Sequence, residues 1–480
     1  MTAKAVTSID PKRALSLDAL RGFAILTMVL SGIVPYRTLP AWMYHAQLPP
    51  PDRIFNPNLP GLTWVDMVFP FFLFALGAAI PLALNKRTKT ESLGKTIFHI
   101  IERTLLLGFF AIFLQHIRPH VIWPQIYSNP KAFAWLLGLL GFAMLFGIYL
   151  RPPKSWNKHF SVGIKLVAWL GAVLFTLAIK YPNGDRFSLN RSDIIIIVLT
   201  NVYFFGSLIW LATKEKQLIR LGILGFLIAI RLGASATGWV KVIWDFSPIP
   251  WIYSLYYLQY LFIVIPGTII GDMILEWLQN SKTIDMNVYK WNQSRMVMMV
   301  ALMFGMVVVQ LIGLQGRWVW QTVILTGALL GFGYYLFSKP VTESELLLQK
   351  LFYWGMYWLI LGLIFEPYEG GIKKDHPTIS YYFITTGLAI FMLIAFTIII
   401  EYFNKQRYLQ LLIDNGQNPM IAYVGMNNLL VPILSLTGID GLMKSVDPTP
   451  WLGFLRAVLY TWLLAIIVAQ FTKRKLFWRT

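Results

Sequence analysis

The sequence predicts an all-α, polytopic integral membrane helix bundle, a single transmembrane domain over residues 1–480 with about 11–14 transmembrane helices. Two observations predict this class. First, 57% of the 480 residues are hydrophobic and only 13% are charged, which is rare for a soluble domain of this size. Second, apolar stretches of about 20 residues, the length that crosses a bilayer, recur along the whole chain.

The candidate spans follow one another with short polar loops between them. Their approximate limits are 17–36, 64–84, 96–117, 132–150, 162–179, 193–212, 217–235, 252–278, 296–314, 318–337, 347–365, 380–402, 417–437 and 451–470. The seventh is unusual because it holds Arg220 and Arg231 in an otherwise apolar run, and only a short loop separates the ninth from the tenth.

The distribution of basic residues predicts the orientation of the chain. The net charge is +19, but the Lys and Arg residues lie in short loops between apolar spans, which favours a membrane protein over a nucleic-acid-binding protein. More of them lie in the loops on the side of the N-terminus, so both termini are expected in the cytoplasm. Residues 1–16 are then a cytoplasmic lead and residues 37–62 an extracytoplasmic loop. No small-residue cleavage site follows the lead, so we expect the first span to remain as an anchor.

The second span contains two groups that hydrocarbon does not tolerate. It reads GLTWVDMVFPFFLFALGAAIPLA at residues 61–83, with a carboxylate at Asp66 and a proline at Pro70. Proline has no N–H, so in a helix the carbonyl of Asp66, four residues earlier, loses its usual donor. Because an unsatisfied polar group in a bilayer costs several kcal/mol, we expect other parts of the protein to bind both groups.

Two further pairs of ionisable residues lie in spans, where such residues often mark functional sites. Asp18 and Arg21, three residues apart at the start of the first span, face the same side of a helix. Their spacing fits a structural ion pair, and it equally fits an arginine that binds a phosphate or carboxylate from the cytoplasm. Glu102 and Arg103 in the third span are adjacent and point in different directions, which favours a structural role.

The remaining candidate residues are histidines and amides. His45 lies in the aromatic run WMYHAQ, on the same predicted side as Asp66, and an imidazole beside a carboxylate is a competent general base near neutral pH. The sequence gives no convincing metal site, because Pro119 separates His116 from His120 and there is no cysteine.

Near the end of the chain, AYVGMNNLL places Asn427 and Asn428 in an apolar span. Their amides fit hydrogen bonds between helices, and they also fit hydrogen bonds to a ligand carbonyl.

Several of these stretches together resemble a known family. SLDALRGFAILTMVLSG at 16–32, the 61–83 stretch, HPTISYYFITTGLA at 376–389, QNPMIAYVG at 417–425 and KRKLFW at 473–478 are similar to the transmembrane acyltransferases that include heparan-alpha-glucosaminide N-acetyltransferase. The resemblance is specific over roughly two fifths of the chain. A related family with an L-D-x-L-R-G motif carries a histidine later in its first span, where this sequence has Ser31 and Gly32, so the glucosaminide branch fits better.

The resemblance implies acetyl transfer across the membrane, from cytoplasmic acetyl-CoA as co-substrate to an amino sugar on the extracytoplasmic side. It also implies a bacterial inner-membrane protein and a homodimer. The family's essential histidine precedes the second-span motif, and His45 is the histidine in that loop. The candidate residues are His45 and Asp66 for catalysis, Asp18, Arg21, Asn427 and Asn428 for acetyl-CoA, Trp64, Lys374 and His376 for the acceptor, and none for a metal.

Alternatives to an enzyme remain at this point. Charges and broken helices inside a membrane also mark the pathway of a transporter or permease for a sugar or related small molecule, although no repeat relates the two halves of this chain. A structural membrane protein with a degenerate site is the third class. For the enzyme, His45 either removes the proton from the acceptor amine or first takes the acetyl group itself.

Overall fold

The structure is a computed structural model that describes residues 14–35, 39–124, 132–153, 155–235, 238–280 and 290–479. Its helices are α1 (Leu15–Ser31), α2 (Trp64–Thr90), α3 (Leu93–Ile117), α4 (Pro119–Ile122), α5 (Ala132–Tyr149), α6 (Lys158–Ala178), α7 (Ile194–Ala212), α8 (Gln217–Gly233), α9 (Trp239–Trp244), α10 (Leu261–Asn280), α11 (Gln293–Gln315), α12 (Val319–Leu336), α13 (Glu343–Phe365), α14 (Ile379–Thr397), α15 (Gln406–Gln417), α16 (Pro419–Gly425), α17 (Val431–Leu436), α18 (Ile439–Lys444) and α19 (Pro450–Lys473).

Shorter elements complete the fold. They are 3-10 turns at Ala41–Met43 and Leu255–Tyr260, π-helical segments at Ile398–Tyr402 and Met426–Leu430, and strands β1 (Leu150–Arg151) and β2 (Phe477–Trp478). The first π-helical segment continues α14, and the second joins α16 to α17. Because π-helical turns break the regular bonding of a helix, they often occur at functional sites.

The predicted class is confirmed: the protein is an all-α, integral membrane helix bundle. In the described part of the chain, 12 helices are long and apolar enough to cross a membrane. A helix lies at every predicted span, and two of these helices, α1 and α8, are shorter, with 17 residues each. Helix α15 was not predicted. Its 12 residues are amphipathic and too polar on one face to give the signal of a membrane span.

Helix α14 forms the centre of the larger apolar core, where every one of its residues is buried. Helix α2 packs closely against α10, with Gly77 and Gly267 lying against the partner backbone. A Cβ on Gly77 would come within 2.3 Å of the carbonyl oxygen of Val264, so the contact requires glycine. A second core lies around α3, α5 and α19.

The two arginines of the seventh predicted span bind carboxylates on other helices. Arg220 is fully buried in α8, and its Nη1 donates to Asp272 of α10 at 2.7 Å. Arg231 donates to Glu369, after α13, at 2.6 Å. Both charges are therefore compensated by partners that are distant in sequence, which is how a helix with two arginines remains in the bundle.

The C-terminal segment folds back and is anchored in the second core. Strand β2 pairs antiparallel with β1, and Trp478 is buried against Phe110 and Tyr149. The fully buried Asn418, between α15 and α16, accepts from the backbone N–H of Trp478 at 3.0 Å. These contacts give the terminal KRKLFW stretch a structural role.

Candidate functional site

The predicted contact between His45 and Asp66 is present. Asp66 lies in the first turn of α2 and is completely buried, and its Oδ1 is 2.7 Å from Nδ1 of His45. Its Oδ2 accepts from the backbone N–H groups of Ala46 and Thr63 and from the hydroxyl of Thr63. An ionised carboxylate only accepts hydrogen bonds, so Nδ1 of His45 carries the proton and Nε2 of a neutral ring carries the lone pair.

Pro70 affects the backbone of Asp66 as the sequence predicts. Helix α2 continues through Pro70, and the Asp66 carbonyl accepts from the hydroxyl of Tyr381 at 2.8 Å. Tyr381 is completely buried in α14. The carboxylate of Asp66 is buried, and His45 provides the exposed surface of the pair, with 31% of its side chain accessible.

Lys374 is the third member of this cluster. Its Nζ lies 3.1 Å from Nδ1 and 3.4 Å from Nε2 of His45, and 4.0 Å from Oδ2 of Asp375. Nδ1 already donates to Asp66, and the nearly equal distances to the two nitrogens place Nζ beside the ring rather than along the lone pair of Nε2. Lys374 is therefore next to His45 and leaves free the direction from which Nε2 accepts a proton.

The loop that carries Lys374 is fixed at several points. Glu366 at its start binds Arg317 at 2.6 Å, and Glu369 binds Arg231. The backbone N–H of Gly61 donates to the carbonyl of Ile372 at 2.8 Å, which joins this loop to the segment before α2. The relative positions of His45, Asp66 and Lys374 are thus set by contacts from α2, α8 and the residues that follow α11.

His45 and Lys374 line a cavity of about 460 Å³, which we call the histidine cavity. Its other polar lining residues are Ser31, Arg118, Tyr260, Asp375, Tyr423 and Asn427, and the rest of the lining is apolar. A mainly apolar pocket with a few convergent polar groups is typical of a small-molecule site.

A second polar cluster lies at this cavity. Arg118, between α3 and α4, forms an ion pair with Asp193, which precedes α7. The hydroxyl of Tyr423 donates to the same carboxylate. Asn427 lies in the π-helical segment and lines the cavity, whereas the amide of Asn428 is buried and donates to the carbonyl of Ile117. Asn428 therefore joins helices, and the structure does not place its side chain in the cavity.

A second cavity, of about 180 Å³, is lined by Arg21, Arg103 and Arg479, and we call it the arginine cavity. Arg21 contacts Asp18 at 3.3 Å and also donates to the carbonyls of Gly416 and Ala75. The guanidinium of Arg103 stacks over the ring of Tyr203 at 4.5 Å. The described residues of the lining include no carboxylate, so the cavity is suited to an anion.

The two cavities follow one another along the same helices. On α2, Phe69 lines the histidine cavity and Phe72 the arginine cavity, and on α7 the corresponding neighbours are Val198 and Leu199. On α16, Tyr423 lines the first cavity, and Met420, one turn earlier, lines the second. Only about one helical turn of side chains separates them, which is about 5 Å along each helix.

The structure does not bring every predicted residue to a cavity. Trp64 packs against the larger core and His376 is exposed, and neither lines the two cavities. Asp18 acts through its ion pair with Arg21. Sequence reasoning missed Arg118, Arg103 and Arg479 as lining residues. Arg103 was noticed as a charge in a span, but nothing in the sequence indicated that the third span and the C-terminus meet.

The fold and the two cavities define a class: an integral membrane protein with a histidine and carboxylate pair in one cavity and an arginine cluster in a second. The sequence matches the model for a domain of unknown function, DUF5009, over residues 13–277, more than half of the chain, so the protein belongs to the DUF5009 family. No curated protein matches it. The matched region includes Arg21, His45, Asp66 and Arg103, whereas Lys374 follows it.

Proposed function

We propose that this protein is a transmembrane acetyltransferase that moves an acetyl group from acetyl-CoA to the amine of an amino sugar. The observation that carries the proposal is the alignment of the two cavities along α2, α7 and α16. One provides cations for a nucleotide anion, and the other provides a base for an amine. The resemblance of five sequence stretches to the heparan-alpha-glucosaminide N-acetyltransferase family supports the same activity.

The arginine cavity is the proposed entry of acetyl-CoA. The phosphates of this co-substrate are polyanionic, and Arg21, Arg103 and Arg479 line that cavity. The acetylated arm would extend towards the histidine cavity through the side chains that separate the two, such as Phe72 and Met420. Apolar side chains around the thioester would also limit its hydrolysis, because they exclude bulk water.

The histidine cavity is the proposed acceptor site. Two cations, Lys374 and Arg118, and the carboxylate of Asp375 line it. Asp66 and Asp193 bind the lining residues His45 and Arg118, so with a neutral His45 the group has an excess of negative charge. Such a cavity favours a cationic ligand, and the amine of an amino sugar is protonated at neutral pH. The acceptor's amine would then bind at Nε2 of His45, beside Lys374.

His45 is the proposed general base. Asp66 fixes the ring and its tautomer, so Nε2 can remove a proton from the amine, which then attacks the thioester carbonyl. The carbon–sulfur bond breaks and coenzyme A leaves as the thiol. Holding both substrates in adjacent cavities supplies part of the rate, because the reacting groups no longer have to meet by diffusion.

The proposed orientation follows from the distribution of basic residues. With both termini in the cytoplasm, the arginine cavity opens towards cytoplasmic acetyl-CoA and the histidine cavity towards the extracytoplasmic side. The resemblance to bacterial members of the family suggests the bacterial inner membrane as its location.

The test uses the purified full-length protein with radiolabelled acetyl-CoA and a panel of amino sugars beginning with glucosamine. The proposal expects label on the sugar amine. Reconstitution in proteoliposomes with labelled sugar tests the rival class, because uptake of unaltered sugar without acetylation would identify a transporter instead.

Two variants and one control test the roles of His45 and Asp66 in this assay. His45→Ala should reduce transfer by at least about a hundredfold, which is the usual contribution of a general base. Asp66→Asn should also reduce it, because an amide no longer enforces the tautomer of His45. His159→Ala is the matched control, since His159 is exposed at the start of α6 and lines neither cavity. Full activity of His45→Ala would contradict the proposed mechanism.

A further inference from the structure

Lys374 is the amine that the structure places nearest to the proposed base. Its Nζ lies 3.1 Å and 3.4 Å from the two ring nitrogens of His45, and both residues line the histidine cavity. A substrate amine must approach Nε2 of His45 along its lone pair in order to lose its proton. Nζ lies beside the ring, so a rotation of the flexible Lys374 side chain would bring an amine of the protein itself to the position that the acceptor would take.

We propose that Lys374 is a self-acetylation site, modified by bound acetyl-CoA when no acceptor fills the histidine cavity. This inference rests on the proposed function, because it requires the acetyl group to reach His45. In the reaction, Nε2 of His45 takes a proton from Nζ, and the neutral amine attacks the thioester carbonyl. A carbon–nitrogen bond forms and the carbon–sulfur bond breaks. Of the two protons that the ammonium loses, one passes through His45 to the thiolate, which leaves as coenzyme A, and the second is released to solvent.

The surroundings of Lys374 favour this reaction over modification of other lysines. Only 19% of its side chain is exposed, so the residue is enclosed in the cavity and is largely shielded from acetylating agents in bulk solvent. Its neighbour Lys373 is not among the lining residues of either cavity. The loop is fixed through the Glu366–Arg317 ion pair, which keeps Nζ close to His45 rather than free to move away.

Acetylation of Lys374 would change the cavity. The product is an amide, which is too stable to pass its acetyl group to a sugar, so it is an inhibited state and not an intermediate. It removes one positive charge and adds an acetyl group to a cavity of about 460 Å³. An acceptor in the cavity should protect Lys374, because its amine occupies Nε2 of His45 and keeps Nζ away from the base. The modification would then inactivate the enzyme when acetyl-CoA is present without an amino sugar.

The experiment incubates the purified full-length protein with acetyl-CoA alone and follows acetylation of individual lysines by peptide mass spectrometry. We expect Lys374 to be acetylated about tenfold or more faster than Lys373, the internal control, and His45→Ala to abolish that difference. Glucosamine added at the start should slow the modification. The thermal stability of His45→Ala is measured in parallel to establish that the variant is folded.

A second readout follows activity. Incubation with acetyl-CoA before the sugar is added should cause a progressive loss of transfer in the natural protein. Lys374→Arg should show no such time-dependent loss from its own starting rate, because a guanidinium is not acetylated under these conditions.

The outcomes separate the inference from the proposed function. Sugar acetylation without modification of Lys374 overturns the inference alone. The inference is also overturned if Lys374 is acetylated no faster than Lys373, or if its acetylation rate is unchanged in folded His45→Ala. Absence of acetyl transfer to both the sugar panel and Lys374 overturns both proposals.

Discussion

Tyr381 donates from its hydroxyl to the backbone carbonyl of Asp66 at 2.8 Å, and in this way α14 replaces the hydrogen bond that Pro70 removes from α2. The proline therefore creates an attachment point between the central helix of the bundle and the residue that orients His45. Both Tyr381 and Asp66 are completely buried, so no water takes the place of either partner. The position of the His45–Asp66 pair is thus linked to α14, in which every residue is buried.

Replacing Tyr381 with phenylalanine should destabilise the protein and lower acetyl transfer. The Asp66 carbonyl would remain buried without a donor, at a cost of about 1–3 kcal/mol. Thermal unfolding in detergent and the transfer rate measure the two effects. Tyr382→Phe is the matched control, because the Tyr382 hydroxyl is buried next to Tyr381 without a hydrogen-bond partner. Equal losses in the two variants would contradict the role of the Tyr381 hydrogen bond.

Affinity for coenzyme A should depend on the arginine cavity. Arg103→Gln removes one cation from the lining, and a charge-assisted contact to phosphate contributes about 1.5–3 kcal/mol, so Kd should rise about tenfold or more. Calorimetric titration with coenzyme A measures this without any acceptor. Arg407→Gln is the control, since Arg407 is exposed on α15 and lines neither cavity. If both variants bind coenzyme A as the natural protein does, Arg103 is not part of its site.

The sequence was sufficient for the spans, because apolar length is a local signal. The His45–Asp66 pair was predicted from the shared side of the membrane together with the family resemblance, and not from local sequence alone. The sequence was ambiguous where the role of a residue depends on which helices pack against each other. Asn427 and Asn428 are adjacent and chemically identical, yet one lines a cavity and the other binds the backbone of α3. Arg479 could not be assigned to a cavity before the C-terminal strand was placed against β1.

The crossing of α1 and α15 should not tolerate a side chain at Gly22. A Cβ at this position would lie 1.8 Å from the carbonyl oxygen of Leu412, so the two backbones would have to separate. Gly22→Ala should therefore lower stability by about 1–3 kcal/mol and displace Arg21 at the neighbouring cavity. Gly305→Ala, with no atom within 4 Å of the added Cβ, should be neutral or should stabilise α11 by up to about 1 kcal/mol. Thermal unfolding of both variants gives the comparison, and a neutral Gly22→Ala would contradict the packing.

Stability should vary with pH through Asp414 of α15. Burial raises the pKa of this carboxyl above its usual range, despite the hydrogen bond from Gln410. The folded state then binds the proton more tightly than the unfolded state. The contribution of protonated Asp414 to the free energy of unfolding is therefore lost as the pH rises from about 4, the pKa in the unfolded chain, through the higher pKa in the folded protein. Asp414→Asn should be more stable than the natural protein at neutral pH and equal to it at lower pH. A constant difference between the two across the pH range would rule out this origin.

The strongest single effect on stability is expected at Glu345, a completely buried carboxylate in the first turn of α13. Its Oε1 accepts from the backbone N–H groups of Lys290 and Trp291, and its Oε2 from those of Val341 and Thr342. An amide has one accepting oxygen, so Glu345→Gln must turn its own N–H₂ group towards one of these two pairs of donors.

That substitution should cost about 3 kcal/mol, because two backbone donors lose their acceptor at a completely buried side chain and face another donor. Thermal unfolding should show a clear fall in Tm for Glu345→Gln. Glu343→Gln provides the control, since Glu343 is exposed in the same turn and should change stability by about 0.5 kcal/mol or less. Similar Tm values for the two variants would mean that the carboxylate does not hold the segment before α11 against the start of α13.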